Sequence, residues 1–490
     1  MHSYLKFAKQ TLKMGTLSAL GAIQGIIFLP IITKILGAEN YGIWVQIQIT
    51  MCLLVPLTFF GLGEALARFL PGEKDPKKIQ EGVYSSLVFV LGINVILALC
   101  LILFSASLAV FFRFEAIFVK LLSLMIIFES ANTVLSTTIL FLRDIKKYFW
   151  FAVLKMFGET VLVVGAILLS YELPGAVFAL LLIRIIIFFI LFMYLAGKIG
   201  IKIPDFSLLK NYMRFGLPTI TNGISYGVVT SADRYIIGFF LGVLFVGYYA
   251  PAYSLGMNLL FFIIPIISIL SVVLPKFFDD NNLSAVKDYL SHSLKYFLLI
   301  MIPAAFGLSV LSRQLLTIFS TREIAAHAYL VVPFIAASMV IYGLILLFLI
   351  ILNLVKKTKI IAIIWATTAL LNIILNLALT PMFGIIAAAI ITFVSYVCAL
   401  ILMWYFAFKE LQFKIVWDFI AKSFLSSILM VLFIAWFNPV SLFDVILSII
   451  LGVLIYSILI FYNNEYFMQT TRCGGAAPDA VGCVVDEALN

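Results

Sequence analysis

The sequence predicts an all-α integral membrane protein of about fourteen transmembrane helices. Of its 490 residues, 64% are hydrophobic and 11% are charged, whereas soluble domains are about half apolar and a quarter charged. Apolar runs that reach the roughly 20 residues needed to cross a bilayer recur along nearly the whole chain. These runs are continuous and do not alternate apolar with polar residues, so they predict helices and not barrel strands.

The predicted spans follow the apolar runs from one end of the chain to the other. They are residues 14–36, 42–66, 83–112, 116–141, 149–170, 174–197, 215–240, 243–274, 292–312, 325–352, 358–380, 384–407, 417–437 and 441–461. Lys6, Lys9 and Lys13 precede the first run, as in a signal peptide, but the run is long and has no clear cleavage site. We therefore expect it to remain as a span. Residues 463–490 are small and polar, and we expect a disordered cytoplasmic tail there.

The basic residues predict the orientation, because Lys and Arg near helix ends favour the cytoplasmic side. With the N-terminus inside, 25 of the 32 basic residues fall in inside segments, five fall outside, and Arg184 and Arg234 lie within spans. We expect a multi-pass protein of the cytoplasmic or inner cell membrane with both termini in the cytoplasm. The net charge of +9 then faces anionic lipid headgroups and does not indicate a nucleic-acid partner.

Covalent chemistry has no recognisable signature in this chain. There is no GxxxxGK[ST] loop, no CxxC motif and no cluster of Cys and His, and the five cysteines are dispersed. We expect a protein that is not an enzyme and that carries no cofactor or metal.

An internal repeat divides the chain at an offset near 205 residues. The first connection, Leu36-Gly37-x-x-x-Tyr41-Gly42, recurs as Leu241-Gly242-x-x-x-Val246-Gly247. The copies are six helices apart, so they have the same sidedness and are related by an axis along the membrane normal. The repeat predicts two six-helix lobes, residues 1–204 and 205–408, followed by two extra helices in residues 409–462.

Polar side chains within the spans are the candidate functional residues, because ionisable groups in hydrocarbon cost several kcal/mol and usually face a cavity or a partner. Span seven carries a polar stripe at helical spacing, for which we favour a water-filled cavity over interhelical hydrogen bonding: Thr219, Asn222, Tyr226, Thr230 and Asp233, beside Arg234. A second stripe, on span eleven, favours hydrogen-bonded packing: Thr368, Asn372, Asn376 and Thr380.

The remaining intramembrane charges leave alternatives open. Glu64 with Arg68, and Lys155 with Glu159, are four residues apart and either pair internally or act in transport. Arg184, in the middle of span six, either pairs across the bundle with Glu129 or Glu159 or binds an anion.

Several phrases in fixed order resemble one transporter family. They are Arg214-Phe215-Gly216-Leu217-Pro218, Asp233-Arg234-Tyr235-Ile236-Ile237-Gly238, Val246-Gly247-Tyr248-Tyr249, and Asn372-Ile373-Ile374-Leu375-Asn376 followed by Pro381 and Gly384. Over residues 5–460 the chain resembles the Wzx-type polysaccharide transporters of the multidrug/oligosaccharidyl-lipid/polysaccharide exporter superfamily.

The resemblance implies a V-shaped pair of six-helix lobes that works by alternating access. It implies a flippase that moves a polyprenyl-pyrophosphate-linked oligosaccharide from the cytoplasmic to the outer leaflet, for O-antigen or capsule-type polysaccharide. The partners it implies are this lipid-linked oligosaccharide, membrane lipids, H⁺ or Na⁺ as a coupling ion, and glycan-assembly proteins.

A pyrophosphate headgroup requires a polar, cationic cleft, which assigns expected roles to the intramembrane residues. Arg234 is the expected phosphate contact, because guanidinium offers a bidentate fork. The further cavity candidates are Asp233, Arg184, Arg68, Lys34, Asn222 and Tyr226, and the ion-coupling candidates are Glu64, Glu129 and Glu159.

Three alternatives remain open. A lipid II flippase of the same superfamily would handle the same pyrophosphate chemistry, and a multidrug exporter is disfavoured because cationic drugs require carboxylates. A membrane glycan polymerase or ligase would be expected to carry a long outer loop, whereas the longest outside connection, about residues 313–324, is short.

Overall fold

The computed structural model describes residues 2–112 and 114–462, and in this part every regular element is a helix. The side chains of residues 2–14, 18, 19, 22, 26, 217–226 and 462 lie outside this description. The α-helices are α1 (His2–Thr58), α2 (Leu62–Phe69), α3 (Pro76–Leu103), α4 (Ser105–Phe112), α5 (Ala116–Phe141), α6 (Ile145–Leu168), α7 (Glu172–Ile199), α8 (Leu209–Phe240), α9 (Val243–Met257), α10 (Ile264–Asp279), α11 (Leu283–Val310), α12 (Ser312–Phe319), α13 (Arg322–Ala328), α14 (Val331–Leu354), α15 (Thr358–Glu410), α16 (Trp417–Phe437) and α17 (Leu442–Tyr462).

Eleven helical stretches of the described chain are long and apolar enough to cross a membrane. They are Ile23–Thr58, Pro76–Leu103, Ala116–Phe141, Ile145–Leu168, Glu172–Ile199, Val243–Asp279, Leu283–Val310, Val331–Leu354, Thr358–Glu410, Trp417–Phe437 and Leu442–Phe461. The expectation of an all-helical membrane protein is therefore confirmed.

Two of the longest helices are interrupted by a glycine. Gly37 in α1 has φ 74° and Gly384 in α15 has φ 72°, a backbone region that glycine enters without a Cβ clash. The interruptions lie where the sequence predicts a connection between spans, at 36–42 and at 380–384. Each long helix thus consists of two segments of transmembrane length.

Several helix ends differ from the predicted spans. The second span was expected to reach residue 66, but α1 ends at Thr58 because Gly61 adopts φ 67° and starts the separate short helix α2. The third span breaks at Phe104 into α3 and α4, and the tenth into α13 and α14. Apolarity continues across these breaks, so hydropathy alone does not locate them.

Polar caps mark several connections between helices. Asp75, Asp144, Asn282 and Thr321 each accept a hydrogen bond from a backbone N–H in the first turn of the helix that follows. Such caps satisfy donors that the helix leaves unpaired and contribute about 1 kcal/mol each.

The two sequence repeats meet in a reciprocal backbone contact. A Cβ on Gly42 would lie 1.9 Å from the Val243 carbonyl oxygen, and a Cβ on Gly247 would lie 1.8 Å from the Ala38 carbonyl oxygen. The offset of 205 pairs Ala38 with Val243 and Gly42 with Gly247, so each half makes the same contact with the other. This reciprocity is the geometry of a two-fold related interface.

A second close approach joins α8 to the turn before α2. A Cβ on Gly216 would lie 2.4 Å from the Gly61 carbonyl oxygen, and one on Gly61 would lie 2.1 Å from the Gly216 carbonyl oxygen. By the predicted orientation this contact lies near the cytoplasmic side, and the Gly42–Gly247 contact lies near the outer side.

Candidate functional site

Four ionisable side chains from three helices meet within the first half of the chain. In Glu129 of α5, Oε1 lies 2.5 Å from the Lys155 ammonium and Oε2 lies 3.1 Å from Nε of Arg184. Arg184 of α7 is 4% exposed, and its Nη2 lies 3.6 Å from Oε1 of Glu159. Each carboxylate and each cation therefore has an opposite charge nearby, as a buried charge requires.

The pairing within this cluster decides two of the open alternatives. Lys155 was considered a partner of Glu159 four residues along the same helix, but its ammonium pairs with Glu129 of α5. Arg184 takes the cross-bundle alternative and contacts both Glu129 and Glu159. Sequence spacing suggested only the local pair for Lys155, because spacing along one helix cannot reveal which neighbouring helix presents a closer carboxylate.

A polar cavity of about 280 Å³ adjoins the cluster between α5, α6 and α7. Its polar lining runs along both helices from mid-span toward the 142–144 connection: Glu129, Asn132, Thr133 and Ser136 on α5, and Tyr148, Lys155 and Glu159 on α6. Asn132 is 3% exposed and donates from Nδ2 to the Arg184 carbonyl oxygen at 2.9 Å. This stripe on α5 was not predicted, although its three- and four-residue spacing is visible in the sequence.

Asp144 lies in the connection where this cavity ends. Burial alone would raise the pKa of its carboxyl, but hydrogen bonds from Lys198, at 2.7 Å, and from the Tyr194 hydroxyl outweigh that effect and hold the pKa below its ordinary value. The carboxylate also accepts from the backbone N–H of Lys147. Asp144 therefore remains charged at neutral pH, and its hydrogen bonds connect the start of α6 to the end of α7.

Asp233 and Arg234 lie near the C-terminal end of α8, packed against α9. The Asp233 carboxylate accepts from the Tyr249 hydroxyl at 2.7 Å and from the backbone N–H of Arg234 at 2.8 Å. The Arg234 guanidinium lies 3.8 Å from the centre of the Tyr253 ring and donates from Nη1 to the Thr230 carbonyl oxygen at 2.7 Å. Both residues are buried, and the guanidinium gains a cation–π contact.

This packing places Arg234 behind the wall of a cavity and not on it. The cavity, of about 640 Å³, lies between α1 and α9, and Tyr41, Trp44 and Ser254 line it while Arg234 does not. The prediction that Arg234 contacts phosphate thus requires the Tyr253 contact to open. It stays a prediction.

The other candidate residues are dispersed. Asn222 and Tyr226, like Thr219, lie outside the described side chains. Lys34, Glu64 and Arg68 are exposed, and the ion pairs of the described residues include none between Glu64 and Arg68. Their expected roles in binding and ion coupling stay predictions.

Three residues of the stripe on α15 form a continuous hydrogen-bonded chain with Ser395, whereas Thr368 donates to the Ile364 carbonyl oxygen. Thr380 donates to Oδ1 of Asn376, the Asn376 amide donates to the Asn372 carbonyl oxygen, and the Asn372 amide donates to Ser395 beyond the Gly384 break. All four residues are buried. The hydrogen bonds agree with the packing role favoured for this stripe, and they hold together the two segments of α15.

An apolar groove in the second half adjoins the cavity between α1 and α9. The groove, of about 630 Å³, is lined by α11, α16 and α17 through residues such as Pro303, Gly307 and Tyr456. It shares four lining residues with the 640 Å³ cavity between α1 and α9: Leu259, Phe262, Leu308 and Leu315. The groove and the cavity meet at these residues and give an apolar path along the protein from α16 and α17 to α1, which was not predicted from the sequence.

Comparison with known proteins identifies matching families. A family model described as "Polysaccharide biosynthesis protein" matches residues 7–279, and one described as "MatE" matches residues 218–378. A curated relative from Haloferax volcanii, "Probable low-salt glycan biosynthesis flippase Agl15", is 22% identical over 262 residues. That match covers 53% of this chain and 55% of the relative, so the chain spans about half of the relative's length.

Solved structures show the same fold. "Lipid II flippase MurJ, inward closed conformation" superposes with a TM-score of 0.78 over 94% of this chain and 100% of that one, at 17% identity. An inward-facing "multidrug resistance MATE family transporter of the MOP superfamily" gives a TM-score of 0.64 over 80% and 93%, at 15% identity. The expected resemblance to the exporter superfamily is confirmed, and the matched families are of transporters and not of enzymes.

Proposed function

Because the chain belongs to the polysaccharide biosynthesis protein family of membrane transporters, we propose that it is a flippase for a polyprenyl-pyrophosphate-linked oligosaccharide. It moves this lipid from the cytoplasmic to the outer leaflet for polysaccharide synthesis. The headgroup passes between the two halves while the prenyl chain stays in an apolar environment.

The observation that carries the proposal is the apolar path from α16 and α17 to the cavity between α1 and α9. Each CH₂ group of a prenyl chain is more stable by about 0.8 kcal/mol in an apolar environment than in water. A lipid substrate therefore requires a continuous apolar surface. The groove and the cavity share Leu259 and Leu308. Tyr41, Trp44 and Ser254 give the cavity polar atoms, which suit a sugar headgroup.

The topology that we propose has fourteen spans with both termini in the cytoplasm. The glycine breaks in α1 and α15 divide each of these helices into two spans, and α8, with 32 residues, is long enough for another. Two six-helix lobes and two additional C-terminal helices follow from this count. The asymmetry of the basic residues supports the orientation.

Alternating access then operates through the two glycine contacts. The Gly42–Gly247 contact closes the outer side and the Gly61–Gly216 contact closes the inner side, so each must separate in turn. Separation at the outer side moves α1 away from both α8 and α9, which uncovers the part of α8 where Gln46 of α1 donates to the Arg234 carbonyl oxygen. The Arg234 side chain must then also leave the Tyr253 ring. Arg234 then becomes available to phosphate, with Asp233 orienting the helix end.

Lipid II transport is the second candidate, favoured by the same apolar path, because lipid II also carries a pyrophosphate and a prenyl chain. Multidrug export is disfavoured, because a cationic drug requires a carboxylate. The Asp233 carboxylate already accepts from the Tyr249 hydroxyl and from the backbone N–H of the neighbouring Arg234.

Complementation tests the proposal. In strains that lack a flippase for O-antigen, capsule or lipid II, we compare wild type, Arg234→Ala, Arg234→Lys and the exposed control Arg322→Ala at matched membrane abundance. We expect wild type and Arg322→Ala to restore surface glycan, Arg234→Ala to fail, and Arg234→Lys to restore part of it. Rescue of the lipid II strain alone would favour the second candidate, and rescue of none would refute both.

A further inference from the structure

The two carboxylates of the cluster are held unequally. Glu129 accepts the Lys155 ammonium at 2.5 Å and has Arg184 Nε at 3.1 Å, so two cations stabilise its charge. Among the described residues, Glu159 has one cation within 4 Å, the Arg184 guanidinium, at 3.6 Å from Oε1. Neither this oxygen nor Oε2 of Glu129 has a hydrogen-bond partner in the described part of the chain. A partly buried carboxylate with one distant counterion takes up a proton more readily than a carboxylate with two close counterions.

The adjoining cavity gives Glu159 a polar path to one side of the membrane. Its polar lining runs from Glu159 to Tyr148 on α6, a rise of about 16 Å along a helix, and ends near the 142–144 connection. Asn132, a residue that is 3% exposed, contributes to the lining of this cavity. A space of about 280 Å³ with several polar side chains in its wall offers room and hydrogen-bond partners for water.

We propose that Glu159 is a proton-exchange site of this transporter, served from the 142–144 side through this cavity. The step transfers a proton from hydronium in the cavity to the Glu159 carboxylate: an O–H bond forms at the carboxylate, one breaks in hydronium, and water remains. Glu159 changes from negative to neutral. This inference depends on the proposed function only for the transport step that the proton would drive.

A proton fits this site better than a metal cation. A metal cation needs several oxygen ligands, whereas Lys155 and Arg184 present only N–H donors beside the carboxylates. A proton needs only a carboxylate oxygen. From α1, Gln24 donates to the Met156 carbonyl oxygen and to the Thr160 hydroxyl, which lie before and after Glu159 in the sequence, and its amide carries no charge.

Protonation changes how three helices are held together. With Glu159 neutral, Arg184 has Glu129 as its remaining counterion, and Lys155 already pairs with that carboxylate. The attraction between α6 and α7 at this level therefore weakens, which links the charge of Glu159 to helix packing.

Infrared titration of the protein in lipid nanodiscs tests the site without a substrate. We expect a carboxylic C=O band that appears on acidification, is lost in Glu159→Gln and is retained in the control Glu323→Gln. A band that persists unchanged in Glu159→Gln would overturn the assignment. Because no transport is measured, this result is independent of the proposed function.

Thiol labelling tests the path. In a cysteine-free background, we expect Ser136→Cys, on the cavity wall, to react with a membrane-impermeant reagent added on the 142–144 side, and Thr138→Cys, on the buried face of α5, not to react. Equal labelling of both, or labelling of neither, would refute an aqueous path. If complementation fails in every glycan system while both tests succeed, the proposed function fails and the proton site stands.

Discussion

Replacement of Gly247 by alanine should weaken the outer contact between the two halves. The added Cβ would lie 1.8 Å from the Ala38 carbonyl oxygen and 2.6 Å from its carbon, whereas Cβ contacts under 3.0 Å are essentially never observed. Both neighbouring atoms belong to backbone, so no side chain can rotate away. The helices α1 and α9 must therefore separate by more than an ångström at this point.

The magnitude follows from the usual cost of overpacking. Extra atoms in a packed interface cost about 1–3 kcal/mol, and a free-energy change of that size alters a two-state ratio by about 5- to 150-fold. Because the penalty applies only while the outer contact is closed, Gly247→Ala shifts the population toward a state open on that side. Gly216→Ala, with its Cβ 2.4 Å from the Gly61 carbonyl oxygen, shifts it the opposite way.

Pulsed electron–electron distance measurements between spin labels at Glu39 and Phe245, both exposed beside the contact, would report the separation. We expect a longer distance in Gly247→Ala than in wild type. The control is Gly92→Ala, whose added Cβ has no heavy atom of its surroundings within 4 Å. Identical distance distributions in Gly247→Ala and Gly92→Ala would refute the argument that this contact is a closed gate.

Three further predictions concern stability, measured by thermal unfolding in detergent. Arg184→Met leaves Glu159 without its counterion, so we expect a loss of about 3–5 kcal/mol, and an unchanged melting temperature would contradict the ion-pair role. Asn376→Leu removes the hydrogen bonds that this side chain makes with Asn372 and Thr380 and should cost about 1–3 kcal/mol; an effect no larger than that of the exposed control Leu377→Ala would refute it. Asp144→Asn should destabilise the folded protein at neutral pH only. Folding lowers the pKa of the Asp144 carboxyl, so its charge stabilises the folded state fully above the unfolded pKa of about 3.9. The difference in stability from wild type should vanish as the pH falls through the folded pKa. A difference that is constant with pH would exclude the Lys198 ion pair as its cause.

Much of the secondary structure and the family could be predicted from the chain alone. Long apolar runs leave helices as the only spanning form, since every backbone polar group in hydrocarbon needs a partner within its own segment. The repeat phrases around Gly42 and Gly247 also contained information about the interface, because the same residues make the reciprocal contact. The helix breaks at Phe104 and Gly61 were missed, as apolarity continues through them.

What the sequence by itself determined is the helical class, the approximate span limits and the superfamily, because these depend on local composition and on short phrases in fixed order. Only the tertiary structure decided that Lys155 pairs with Glu129 on α5, that Arg234 stacks on Tyr253, and that a groove beside α16 and α17 joins the cavity between α1 and α9. Each of these depends on which faces of separate helices meet. Spacing along one helix does not specify its neighbour, so charge partners and cavities become known only once the helices are packed.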